Sequence, residues 1–296
     1  MPDGFSLPSF AKINWTLRIL GKRADGFHEL CTVFQTISLC DTLHFEPSSD
    51  VTMTCSDERI PVDGGNLIVK AAELLRHEHG VDQGAKIHLD KSIPSPGGVG
   101  GGSSNAATAM IGLCRLWGVS IDMALLFPIA VELGSDVPFF LTGGTALGTG
   151  RGEMIEPLTD KTAAEMLLVS PDASVSTTDA FRGLAAPALT SGDPERTLTV
   201  CRNEAESLDP LHSVLINDFE PTVFETHPEI GRVKETLLEL GARNAAMSGS
   251  GASVYAVFDN KETRQAAQKA LDNESTWRKF AVATVSRAEY AKALGI

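Results

Sequence analysis

The sequence predicts an α+β fold in two domains. Three observations carry this. Segments with strand alternation and segments with helical spacing are interspersed along the chain, without the steady β-α-β-α rhythm of a doubly wound sheet. The length, 296 residues, matches about two domains of ordinary size. Composition is globular, 43% hydrophobic and 21% charged, which excludes a disordered or fibrous chain. A break near residue 155 divides the chain into 1–155 and 156–296.

The elements follow in order. FAKINWTLRIL alternates, with Ala11, Ile13, Trp15, Leu17 and Ile19 on one face and Lys12, Asn14, Thr16 and Arg18 on the other. A turn-rich connection, GKRADGFHEL, leads to a second strand, CTVFQTISLCDTLHFEP. DGGNLIVKAAELLRHEHG has a polar start, helical spacing at Leu67, Ala71, Leu74 and Leu75, and Gly80 as a stop. AKIHLDKSIP reads as a strand running into a glycine loop and an Ala-rich helix. SIDMALLFPIAVELG is a further helix ended by Gly134, and SDVPFFLTGGTALGTGRGE a loop and a glycine-rich hairpin. The second half opens with EMLLVSPDASVSTTDAFRGL, a strand and a Ser/Thr-rich helix start. APALTSGDPERTLTVCRNEAESLDP is poorly periodic and reads as a loop. PEIGRVKETLLELGA is a helix with Pro228 in its first turn. NAAMSGSGASVYAVFDN is a glycine loop entering a strand, and a last helix and short strand, FAVATVSRA, close the chain.

Charge and cysteine usage bound the function. The net charge of −13 gives no general attraction for nucleic acid or anionic lipid, so neither is an expected partner. Five scattered cysteines without a C-x-x-C pair suit reduced thiols in a cytoplasmic protein. No apolar stretch reaches membrane-spanning length, and the first residues lack the features of a signal or transit peptide.

Four constellations could carry chemistry. Gly97-Gly98-Val99-Gly100-Gly101-Gly102-Ser103-Ser104 precedes a helix. Glycines let a ligand approach the backbone, and Ser103 or Ser104 could cap a helix whose N-terminus attracts anions, so the loop reads as a phosphate cradle. It is neither a Walker A nor a G-x-G-x-x-G sequence, and Asp122, at the distance a dinucleotide fold wants, lies at a helix start. Lys12 and Asn14 share a strand face, although a lone lysine there is most often solvated. Asp136 lies on a short loop constrained by Gly134 and Pro138, where a carboxylate could take a proton from a hydroxyl or meet a lysine; a turn aspartate is the plainer reading. Ser248-Gly249-Ser250-Gly251 is a second glycine loop, an anion nest or a tight turn. Phe27, His28 and Phe34 could hold a heterocyclic base, although core packing is the ordinary role of such phenylalanines. His77 and His79 are two apart on a helix and do not face one metal.

AKINWTLRILGKRADGFHEL, NLIVKAA, KSIPSPGGVGGGSSNAATAM, LGSDVPFF and SGSGASVYAVF occur in this order. Together they resemble the GHMP kinase superfamily and, within it, the family of kinases acting on 4-diphosphocytidyl-2-C-methyl-D-erythritol in the non-mevalonate (MEP) isoprenoid pathway. The resemblance covers most of the chain and is strongest over residues 9–153. Pro96 and Val99 stand where the family loop usually has glycine and leucine, and Phe27 where tyrosine is common. Pro96 removes a backbone donor from the cradle.

The resemblance implies an N-terminal ATP-binding domain like ribosomal protein S5 domain 2, a C-terminal ferredoxin-like domain, and a site between them. It implies ATP-dependent phosphorylation of the substrate's 2-hydroxyl, with Asp136 as base and Lys12 as its charged partner. Asn66, Leu67, Ile68 and Pro94 would serve the adenosine, and Gly97, Gly98, Gly100, Gly101, Gly102, Ser103, Ser104 and Asn105 the phosphates. Asn14, Phe27, His28, Phe34, Thr177, Phe181, Ser248, Gly249, Ser250 and Gly251 would receive the cytidine diphosphate substrate. Mg²⁺ would accompany ATP, with Ser104 or Asp136 as candidate ligands and no firm assignment. Such enzymes act as monomers or weak homodimers. Other readings are a GHMP kinase for mevalonate, homoserine or a sugar, which would not need the Phe27-His28-Phe34 set, a dinucleotide-dependent oxidoreductase, and a non-catalytic binding relative.

Overall fold

Two long strands, β1 (Phe5–Lys22) and β2 (His28–Ser48), form an antiparallel hairpin that organises the whole molecule. A computed structural model describes residues 4–184 and 194–296, and of residues 194–198 the backbone alone. After the hairpin come β3 (Val51–Cys55), α1 (Leu67–His79), β4 (Gly84–Asp90), α2 (Gly101–Trp117), α3 (Met123–Leu133), α4 (Phe139–Thr142), β5 (Thr145–Gly150) and β6 (Met154–Pro157). The strands make one sheet in the order β3-β4-β2-β5-β6, with β1 on β2. Next follow β7 (Met166–Pro171), α5 (Thr177–Gly183), α6 (Pro194–Ser207), α7 (Glu220–Thr226), α8 (Pro228–Glu239), β8 (Asn244–Met247), β9 (Val254–Val257), α9 (Lys261–Ala270), β10 (Trp277–Val282) and α10 (Arg287–Leu294). Their strands form a second, antiparallel sheet in the order β10-β7-β9-β8.

Alternation along β1 explains how the two sheets meet. Ala11, Ile13 and Trp15 pack with Met166 and Leu168 of β7 and Tyr255 of β9 in a shared core. The Trp15 and Tyr255 rings meet edge to face at 5.4 Å, and Tyr255 Oη donates to the Asn14 carbonyl at 2.8 Å. The opposite face of β1 is not solvated either: Lys12 and Asn14 are buried. In the other core, α2 is buried along nearly its whole length, and Gly112 lies so close to the Phe45 ring that a Cβ would stand 2.4 Å from it. Small residues let this helix sit directly on the sheet.

Three expectations need correction. The segment after Asp136 is not all loop, because Pro138 leads into a helical turn, α4. The segment 186–210, read as a loop, contains α6; residues 186–193 of it lie outside the described residues. Among its described side chains this helix buries a narrow stripe, Cys201 and Ala205, with Leu208 just beyond it, so its periodicity is weak. The chain does not close on a strand. Helix α10 follows, started by a capping box between Ser286 and Glu289, and its Tyr290 and Leu294 return to the core under the first sheet.

Candidate active site

Lys12 and Asn14 sit between two register shifts of the β1–β2 ladder, at Phe10/Lys12 and Asn14/Thr16. Such irregularities re-aim side chains, and here they turn both residues into the cleft beside the two glycine loops. The Lys12 backbone N–H donates to Val99 O at 3.0 Å, which ties the strand to the first loop. Lys12 Nζ donates to Asn14 Oδ1 at 2.7 Å, lies 3.4 Å from Asp136 Oδ2, and stands 5.3 Å from the Phe34 ring centre. Its side chain is 3% exposed and that of Asp136 35%. A buried ammonium needs a counter-charge, and Asp136 supplies it at the solvent-facing end. Asp136 is held by the turn that closes α3, with Val137 N–H on Gly134 O at 3.1 Å, Val137 buried and Phe140 N–H on Val137 O.

The glycine loops touch backbone to backbone. Gly98 has φ +69°, and a Cβ there would stand 2.2 Å from Ser248 O and 2.7 Å from Gly251 O. Ser248 Oγ donates to Gly98 O at 2.9 Å, and Ser253 N–H to Gly97 O at 3.1 Å. Gly249 N–H donates to Asn14 Oδ1 at 2.9 Å, and the Ser250 and Thr177 hydroxyls are 3.0 Å apart. Gly251 instead faces Met247 and Val175, away from the cleft. Asn217, which the sequence reading missed, fastens the second loop by donating to Met247 O and Gly249 O, both at 2.8 Å.

Helix α2 starts at Gly101 with left-handed Gly100 as its cap residue, so the expected serine cap is wrong: the serines fall within the first turn. Ser104 N–H already bonds Gly100 O, while Gly101, Gly102 and Ser103 precede the first intrahelical donor, where N–H groups are available to an anion. The side chains of Ser104 and Asn105 are committed elsewhere. Ser104 Oγ is 2.8 Å from Ser9 Oγ, and Asn105 Nδ2 donates to Ser9 Oγ and Asp41 Oδ2. Asp41 is fully buried and also accepts from Lys91 Nζ at 2.6 Å and from the Ser92 and Ile93 N–H groups. A Cβ on Gly101 would meet Lys91 Nζ at 3.0 Å, so this ammonium stands beside the start of α2. Burial lowers the Lys91 pKa, opposed by the Asp41 carboxylate. Sequence reasoning assigned no role to Lys91, which stands six residues before the glycine loop.

Of the residues expected around adenosine, Leu67 lines a cavity of about 420 Å³ with Gly64, Val69, Lys70, Glu132 and Leu133. Asn66 caps α1, accepting from Ile68 N–H and donating to Pro61 O, and Ile68 is fully buried. Pro94 lines a separate cavity with Pro96, Arg59 and Arg278.

The cleft itself has a volume of about 240 Å³ and is lined by Lys12, Asn14, Thr32, Phe34, Gly98, Gly100, Asp136, Arg151, Thr177, Phe181, Gly249 and Ser250, among others. Phe34 and Phe181 thus border it directly. His28 stacks on Phe181 at 4.9 Å, and Phe27 lies under the Arg151 guanidinium at 4.9 Å. Burial, then the charge of Lys22, lowers the His28 pKa. Among the described residues no group of three or more His, Cys, Asp or Glu side chains could hold a metal ion.

A cleft bordered by two glycine loops, with a buried lysine, a carboxylate and aromatic rings at its edge, suits phosphoryl transfer to a small molecule. Known proteins carry the same arrangement of sequence. The pattern described as GHMP kinases N terminal domain matches residues 66–144, and that described as GHMP kinases C terminal matches residues 185–275. The 4-diphosphocytidyl-2-C-methyl-D-erythritol kinase of Chlorobium limicola is 40% identical over 87% of this chain and 89% of its own. That of Solibacter usitatus is 40% identical over 96% of this chain and 90% of its own. A crystal structure of 4-(cytidine 5'-diphospho)-2C-methyl-D-erythritol kinase superposes with a TM-score of 0.76 at 31% identity, over 95% of this chain and 99% of the other. A homoserine kinase from Cytophaga hutchinsonii, at 21% identity and a TM-score of 0.70, shares the fold. The chain belongs to the 4-diphosphocytidyl-2-C-methyl-D-erythritol kinase family of the GHMP kinases.

Proposed function

We propose that this chain transfers the γ-phosphoryl group of ATP to the 2-hydroxyl of 4-diphosphocytidyl-2-C-methyl-D-erythritol, a step of the MEP route to isoprenoid precursors. Family membership supports the reaction. The observation that carries the mechanism is the Lys12–Asp136 pair, 3.4 Å apart in a cleft shared by both glycine loops. In this reading the N–H groups at the start of α2 and the Gly97–Ser104 loop hold the ATP phosphates, and Leu67 borders the adenosine. Asp136 accepts the hydroxyl proton as the oxygen attacks phosphorus. Lys12, oriented by Asn14, neutralises charge on the transferred group. The base lies against Phe181 and Phe34, with His28 and Phe27 behind, and Thr177 and Ser250 close the substrate side.

Mg²⁺ fits as an ion carried by ATP. Ser104 Oγ is engaged with Ser9, Asp136 is the carboxylate among the residues lining the cleft, and the remaining ligands would be phosphate oxygens and water. When bound, the ion offsets phosphate charge. Five free cysteines support a cytoplasmic setting, and among the described residues no helix is long and apolar enough to cross a membrane.

The test is ADP release from Mg-ATP with the cytidine compound, mevalonate and homoserine in parallel. Turnover confined to the cytidine compound is the expected result. Turnover with another alcohol alone would overturn the substrate assignment, and none at all from folded protein would overturn the kinase reading.

A further inference from the structure

We propose that Arg151 is the residue that recognises the diphosphate of the cytidine substrate, an inference that rests on the reading above. Arg151 lies in the turn between β5 and β6, between left-handed Gly150 and Gly152. The turn is braced by Glu153, whose carboxylate accepts from the Arg151 backbone N–H at 2.6 Å and from its Nε at 3.3 Å. Among the described residues the two terminal nitrogens of the guanidinium have no hydrogen-bond partner in the protein. The group lies 4.9 Å over the ring of Phe27, which is 53% exposed. It also borders the cleft, and of the cleft's lining residues only Lys12 and Arg151 carry positive charge.

Charge and geometry divide the work between these two cations. Lys12 is bound to Asn14 and paired with Asp136. A cytidine diphosphate substrate carries its negative charge between the base and the reacting hydroxyl, so it needs a second cation away from Lys12. Arg151 is that cation. Its free fork matches phosphate oxygens in a bidentate manner, which an ammonium cannot do. The carboxylates of this turn leave the fork unoccupied: Glu153 holds Nε, Asp25 accepts from Arg23 and the Phe27 N–H, and Glu29 accepts from Arg23 and the Gly150 N–H. Stacked on Phe27, the guanidinium is preorganised at one side of the cleft.

Calorimetric binding of cytidine 5'-diphosphate and of cytidine to the wild type, Arg151→Gln and Arg151→Lys tests this. The expected loss of diphosphate affinity in Arg151→Gln is roughly 10-fold or more, the scale of a charge-assisted hydrogen bond. Cytidine affinity should stay within about 2-fold, and Arg151→Lys should recover part of the loss, since charge remains without the fork. Unchanged diphosphate affinity in Arg151→Gln overturns the proposal. So does an equal loss for both ligands, which would place Arg151 behind Phe27 as a support for the base. A wild type that binds neither ligand overturns the cytidine reading itself, and this inference with it.

Discussion

Lys12 and Asn14 are joined by a 2.7 Å hydrogen bond from the buried ammonium to the amide oxygen, and that oxygen also accepts from Gly249 N–H at 2.9 Å. One atom therefore couples the lysine of the first domain to the glycine loop of the second. The Asn14 amide nitrogen, by donating to Thr32 Oγ1 at 2.7 Å, fixes which way the amide points. Replacing Asn14 by Ala should lower kcat/KM by roughly 10-fold or more, the scale of a hydrogen bond to a charged group. Steady-state kinetics with both substrates varied would check it, and full activity would show that the loops are placed without this bond.

Asp136→Asn keeps the shape of the loop between Gly134 and Pro138 and removes the proton acceptor. Turnover should fall at least ~10²-fold, the lower end for a general base, while ATP still binds. A nucleotide-binding titration beside the kinetic assay separates the two effects. Near-normal turnover would remove Asp136 from its proposed role.

The glycines of the first loop differ in what they tolerate. A Cβ on Gly98 meets two carbonyl oxygens of the second loop, and the φ of +69° is itself unfavourable for alanine. Gly98→Ala should cost more than ~1 kcal/mol of stability and push the loops apart. Gly102 has only Leu67 Cδ1 nearby, at 3.9 Å, and lies in the first turn of α2. Gly102→Ala should be neutral or stabilising by up to ~1 kcal/mol. Thermal unfolding of the two variants should therefore separate them, and equal melting points would contradict the packed loop contact.

Much of this arrangement was legible in the chain. Alternation put Lys12 and Asn14 on one face of β1, the glycine run marked the start of α2 to within a few residues, and Gly134 with Pro138 bracketed Asp136. What stayed hidden depends on distant partners. The burial of Lys12 comes from the cleft elements that close over β1, not from local pattern. Lys91 and Asp41 are unremarkable charges until β4 is laid beside β2. Arg151 reads as one residue of a glycine-rich turn, and its contact with Phe27 exists only once β5 pairs with β2. The Ser286–Glu289 capping box, by contrast, was a local signal for α10 that was available and passed over.

Asp41 and Lys91 form a buried ion pair at 2.6 Å beside the start of α2. Burial already works against the charged lysine. Asp41→Ala would leave it uncompensated and also strip acceptors from Ser92, Ile93 and Asn105, so the loss should be about 3–5 kcal/mol. Adding Lys91→Met should recover part of that loss, because the unpaired charge goes with it. Denaturant unfolding of both variants measures this; a double variant no more stable than Asp41→Ala would show that the lost backbone contacts, not the charge, dominate.

His28 provides a pH test of the aromatic cluster. Burial is the first cause of its lowered pKa and the charge of Lys22 the second, and the ring is stacked on Phe181. In the unfolded chain the imidazole titrates in the usual range, so between the two pKa values the unfolded state holds more protons. Stability from this group should therefore be full above the unfolded pKa, fall as pH drops through that window, and level off below the folded pKa. Ring-proton NMR should show His28 titrating below the ordinary imidazole range. Phe181→Ala should uncover the ring and move its titration upward. A His28 that titrates normally in the wild type, or does not move in Phe181→Ala, would mean that the stacked pair is not what shields it.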